Sequence, residues 1–246
     1  MPQYVRPPIT EAFLEFRFGS EISEAQLEKC KKKAVKLYQV VKEEYVLPDF
    51  QIEIRKDGVR LAEQRKLGRA YRLETNDAEN IINIQPKILW FARLAPYSGW
   101  EHFSKFVEDY WPQFITAAGH REINRIGCRY VNRFDIPIEN EEAINIAEYL
   151  NVGISSSVNL EIEGFNTVMS IALPNGHKAS VRMLTSAPVV PRTAAFVLDI
   201  DIYKENQGIV NDKAVFGFID EMHVLKNDLF ESLITEKSRN LFNRAL

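Results

Sequence analysis

Apolar and mostly polar positions alternate over residues 10–18: Ala12, Leu14, Phe16 and Phe18 fall on one side, and Glu11, Phe13, Glu15 and Arg17 on the other. A period of two predicts a strand with one face in a core. The period then lengthens. Behind Ser23, a good helix N-cap, Leu27, Ala34, Leu37, Val40 and Val41 keep an apolar stripe, which predicts a helix continuing to Pro48. Four strands are expected next, at 50–55, 69–75, 79–85 and 87–94, with Asp57-Gly58 and Asn76-Asp77 as turns; 59–67 reads as a ragged strand or a loop. Phe103, Phe106, Val107, Tyr110 and Phe114 recur at helical spacing and predict a helix over 101–118, stopped by Gly119.

The same order of elements then returns. A strand is predicted over 123–136, a short helix capped by Asn140 over 141–150, and strands at 158–163, 166–173, 178–185 and 193–203. Asn175-Gly176 is the strongest hairpin signal in the chain. A closing helix over 213–243 places Phe218, Met222, Leu225, Leu229 and Leu233 in a 3-4 rhythm. Arg17-Phe18 aligns with Arg133-Phe134 when the two opening strands are superposed, and no Pro/Ser-rich linker interrupts 117–122. The expectation is an α+β protein made of duplicated β-α-β4-α units, residues 1–119 and 120–246. Their strands would form one curved antiparallel sheet, a saddle backed by helices, within one continuous domain.

Charge narrows the choice of partner. With 31 Lys and Arg against 34 Asp and Glu, the net charge of −3 argues against coating nucleic acid by overall charge, so only a located basic patch would do so. The two cysteines, Cys30 and Cys128, suggest no disulfide framework, and Cys128 reads as a small core side chain. Residues 1–6 lack the apolar core of a signal peptide, and no run approaches the roughly 18 apolar residues of a membrane helix. A cytoplasmic protein without membrane contact is expected. His102, His120, His177 and His223 lack metal-ligand spacing, and there is no phosphate loop or nucleophile elbow. No metal, cofactor or catalytic group is predicted, so the reading leans away from an enzyme.

Two surfaces carry candidate function. The 123–136 strand puts Arg125, Arg129 and Arg133 on one face, where three guanidiniums could hold phosphates or carboxylates. The competing reading is a cross-strand ladder in which Glu11 and Glu15 of the first strand neutralise the arginines, leaving Arg129 as the free one. On the closing helix, Phe216, Phe230, Ile234 and Leu241 form a second apolar stripe, the candidate contact for a protein partner or a homodimer.

Through Arg6-Pro7-Pro8-Ile9-Thr10-Glu11-Ala12, Tyr97-Ser98-Gly99-Trp100, the run from Arg125 to Arg133 (RIGCRYVNR) and the run from Phe230 to Thr235 (FESLIT), the chain resembles a sporadically distributed family of bacterial and archaeal conserved hypothetical proteins of similar length. The resemblance carries no settled activity. Its patchy distribution is that of accessory or mobile genes, including phage-defence and toxin-antitoxin genes. The doubled element order also looks like the layout of the TATA-box-binding protein and the helix-grip folds, which implies paired opening strands and a free concave face. The expected function is therefore a non-enzymatic binding protein for a protein partner, in a defence or toxin-antitoxin-like system. The alternatives are nucleic-acid binding through the concave face, and a small-ligand or enzyme site in a helix-grip cavity.

Overall fold

The computed structural model describes residues 4–46, 52–55, 58–61, 68–138, 145–152, 164–209 and 212–243. In chain order these form β1 (Ile9–Phe18), α1 (Glu24–Ala34), β2 (Val40–Val46), β3 (Ile52–Arg55), β4 (Gly58–Leu61), β5 (Gly68–Glu74), β6 (Asn80–Ile84), β7 (Ile88–Leu94) and α2 (Trp100–Ala118). The remainder forms β8 (Ile123–Pro137), a 3-10 turn at Ile146–Glu148, β9 (Asn166–Ala172), β10 (Lys178–Ser186), β11 (Thr193–Ile209), α3 (Asp212–Leu233) and α4 (Glu236–Asn243).

Nine strands make one antiparallel sheet in the order β2-β5-β6-β7-β1-β8-β11-β10-β9, and β3 pairs with β4 as a separate hairpin. Strands from both 1–119 and 120–246 thus share one sheet, with β1 and β8 side by side at its middle. Each opening strand is flanked on its other side by the last strand of its own half, β7 for β1 and β11 for β8.

The alternation in the sequence becomes two chemically different faces. Ala12, Leu14, Phe16 and Phe18 of β1 and Ile126, Cys128, Tyr130, Phe134 and Ile136 of β8 are all buried. The helices pack on this face: Phe16 meets Trp111 of α2 at 4.8 Å between ring centroids, and Phe134 meets Phe242 of α4 at 5.0 Å. Tyr110 of α2 donates to the Cys30 carbonyl of α1 over 2.9 Å, joining the first two helices. Burying this many Phe, Tyr and Leu side chains, each contributing about 1.5–3 kcal/mol, supplies the main drive for folding.

Several boundaries differ from the sequence reading. The first helix ends at Ala34, and Val40 and Val41 belong to a strand; β-branched residues satisfy either period over a short run, and here pairing with β5 decides. Of the segment expected as strand 50–55, Ile52–Arg55 pairs among the described residues only with β4. The closing helix is two helices, because Ile234 makes a β-bridge with Leu150 while Thr235 donates its amide to the Tyr149 carbonyl and accepts from Ser238 N at 3.4 Å as a cap. The Asn175-Gly176 turn does join β9 to β10, with positive φ at both residues, 57° and 74°. Of the helix predicted over 141–150, the described part, 145–150, forms only the 3-10 turn Ile146–Glu148 and the bridge at Leu150; 141–144, the predicted strand at 158–163 and Asp57 lie outside the described residues.

Candidate functional site

On the face away from the helices, register sets the neighbours. Across β1 and β8, Phe13 lies opposite Arg129, Glu15 opposite Gly127 and Arg17 opposite Arg125. Across β8 and β11, Gly127 lies opposite Tyr203, Arg129 opposite Asp201 and Val131 opposite Asp199. A strand that alternates arginine with small or apolar residues therefore runs between two strands that carry carboxylates.

Each of the three predicted arginines is paired. Arg125 donates through Nη1 to Glu15 and through Nη2 to Asp201, both at 2.6 Å. Arg129 grips Asp199 with Nε at 2.8 Å and Nη2 at 2.7 Å, a bidentate fork, and its Nη1 has no partner among the described residues. Arg133 holds Asp135 at 2.9 Å, and also donates to Ser186 Oγ at 3.1 Å and the Ala187 carbonyl at 2.8 Å, which fastens the loop after β10.

The ladder exists, but two of its expected terms need correcting. Glu15 of the first strand does hold Arg125, but most of the acids come from β11 and from β8 itself. Arg129 is not free, although its side chain keeps 46% of its exposure where Arg125 keeps 15% and Arg133 17%. The missed partners had a signal: Asp199 and Asp201 occupy alternate positions inside the apolar run Val197 to Ile202, and such acids call for a cation across the sheet.

Between these pairs lies a cleft of about 230 Å³, whose walls include Phe13, Trp90, Arg17 and Arg129. Gly127 opens it: a Cβ there would stand 2.6 Å from Arg125 Nη1, so any side chain would displace the doubly held guanidinium. Phe13 and Trp90 meet edge to face at 5.9 Å, and the Arg129 guanidinium sits 5.7 Å from the Phe13 centroid. Across the cleft Arg125 lies over the Tyr203 ring at 4.7 Å. The charges are layered. Arg17 and Arg129 remain 51% and 46% exposed, while Glu15, Asp201, Arg125 and Asp199 sink to 24%, 23%, 15% and 12%. Burial raises the Asp201 carboxyl above its ordinary range, against the lowering pull of Arg125.

The predicted partner stripe is corrected by packing. Ile234 has no exposed surface and Phe230 keeps 7%, with the Phe230 ring 6.3 Å from Phe242. Phe216 is half-buried against Trp111 at 6.2 Å, and Leu241 is half-buried against the core. The break before α4 folds the last helix back, so the chain covers its own stripe. The buried register of α3 runs instead through Val215, Ile219, Met222, Lys226, Phe230 and Leu233.

Within that register Lys226 places Nζ 3.9 Å from the Tyr130 ring centroid, and burial lowers its amine to about 8. One turn earlier His223 stacks on Trp100 at 4.2 Å, and burial brings its imidazole down to about 4. Tyr97 and Tyr130 share a hydroxyl contact of 2.9 Å beside them. Cys128 lies in the same layer with no exposure, its thiol pushed up to about 12 by burial, so no thiolate is available there. Among the described residues no group of three His, Cys, Asp or Glu could hold a metal ion, and no helix is long and apolar enough to cross a membrane.

No protein-family model matches the chain, and no curated protein matches it.

Proposed function

We propose that this chain is a non-enzymatic binding protein that holds a protein partner on the sheet face away from its helices, centred on the seam between β1 and β8. The observation that carries the reading is that the arginines along the seam are matched: Arg17, Arg125, Arg129 and Arg133 each hold a carboxylate of Glu15, Asp201, Asp199 or Asp135. A polyanion needs unmatched cations, since affinity for phosphates comes from counterion release per neutralised charge. A protein partner needs aromatic and arginine anchors held in place, and Phe13, Trp90 and Arg129, gripped by Asp199, supply them. The nucleic-acid reading therefore ranks second. With Phe230 and Ile234 interior, the closing helix gives way to the sheet as the contact surface.

The placement of β1 and β8, each flanked by the final strand of its own half, supports reading the two halves as copies of one unit about the central seam. In that reading the partner lies in the concavity of a saddle.

Affinity capture from the native host with nuclease treatment, repeated with Trp90→Ala and Arg129→Ala, tests the function. Retention of one protein by the wild type, and a loss of roughly tenfold or more in both variants at unchanged circular dichroism, is the expected result. A nuclease-sensitive catch would move the assignment to nucleic acid. Equal retention by both variants would take the contact off this face.

A further inference from the structure

The cleft beside Gly127 is narrower than the face around it and reads a particular chemistry. Its apolar wall is the Phe13–Trp90 pair, two half-buried rings in edge-to-face contact at 5.9 Å. Its rim is cationic: Arg17 and Arg129 stand outward at 51% and 46% exposure, while Arg125 and the carboxylates lie beneath at 24% or less. A ligand approaching from solvent meets guanidinium before carboxylate. Arg129 is held in place by Nε and Nη2, which leaves Nη1 directed by a rigid fork rather than by a flexible chain. A volume of about 230 Å³ admits one large side chain, not a strand or a duplex.

We infer that the cleft accepts an aromatic residue carrying a carboxylate next to its ring, the chemistry of an aromatic C-terminus of the partner protein. The ring lies against Phe13 and Trp90, and the carboxylate takes Arg129 Nη1 at the rim. This rests on the protein-partner reading and names its anchor. A pre-oriented guanidinium contributes more per hydrogen bond than a mobile one, because the ordering cost is already met by Asp199. A cationic side chain is excluded by the two exposed arginines. A bare inorganic anion leaves the aromatic wall unused.

The test is a titration of the ¹⁵N-labelled full chain, observing the Trp90 indole and Arg129 Nε signals. The probes are millimolar N-acetylphenylalanine, its carboxamide and acetate. N-acetylphenylalanine should shift both signals in a saturable way, while the carboxamide and acetate should each bind about tenfold more weakly or not at all. Arg129→Lys, which keeps a cation beside Asp199 but loses the fork, should weaken the acid by a similar factor and leave the carboxamide unchanged. Trp90→Leu serves as a second variant, read on Arg129 alone, and should weaken the acid and the carboxamide together. Equal binding of acid and carboxamide, equal binding of acetate and acid, or no shift at all would each overturn the anchor. A protein captured through this face whose docking segment lacks an aromatic carboxylate would overturn the anchor while leaving the partner reading intact; capture of no protein would remove both.

Discussion

Lys226 rests its ammonium 3.9 Å from the centre of the Tyr130 ring, on the helix-covered side of the sheet and 5% exposed, without a carboxylate partner among the described residues. The ring's negative face offsets part of the cost of burying the charge, by about 2 kcal/mol. Burial outweighs it, and the amine falls from 10.5 to about 8.

That depression has a sign. Between about 8 and 10.5 the unfolded chain holds the Lys226 proton more tightly than the folded one, so stability rises with pH through this window, and below it the full penalty remains. Lys226→Met should therefore be more stable than the wild type at neutral pH, by about 1–2 kcal/mol once the ring interaction is subtracted. The difference should shrink as pH rises from 8 towards 10.5. Urea unfolding at several pH values measures it; a variant less stable than the wild type at neutral pH would mean that Tyr130 overcompensates the burial.

Gly127→Ala probes the centre of the opposite face. The added methyl would lie 2.6 Å from Arg125 Nη1, and the guanidinium can yield only by leaving Glu15 or Asp201. A loss of about 1–2 kcal/mol is expected, together with closure of the cleft. Thermal unfolding gives the first and loss of the N-acetylphenylalanine shifts the second. A variant with unchanged stability and unchanged shifts would show that Arg125 is not pinned.

Ile234 separates packing from association. It is fully buried where α3 gives way to α4, so Ile234→Ala should cost about 2–5 kcal/mol. The sedimentation coefficient should stay as in the wild type under conditions where the variant remains folded. A stable Ile234→Ala that changes its oligomeric state would restore the side chain to an interface.

The legible parts of this fold were the local ones. Period-two runs located β1 and β8 because one face of each is packed and a shift by one residue would invert it, as Phe16 and Glu15 show with 0% exposure against a half-buried carboxylate. Asn175-Gly176 was legible because few residues adopt positive φ without strain. The stripe of α3 is obscured in the sequence because a polar residue sits in the buried register: Lys226 breaks the apolar pattern, and the 3-4 rhythm falls instead on Leu225 and Leu229, which are only half-buried. The arginine partners were misassigned for a different reason. Alternation tells which face a side chain takes but not which strand lies beside it, and the β8–β11 register that brings Asp199 to Arg129 is a tertiary fact.

The central seam also has a history in time. β1 is synthesised before both of its neighbours, since Phe13 pairs with Ala92 on one side and Arg129 on the other. A ribosome can supply β7 to one edge of β1 once residue 94 is made, but the other edge keeps open hydrogen-bonding groups until most of β8 has followed. Pairing at such sequence separation makes for slow folding and a nascent chain that depends on shielding.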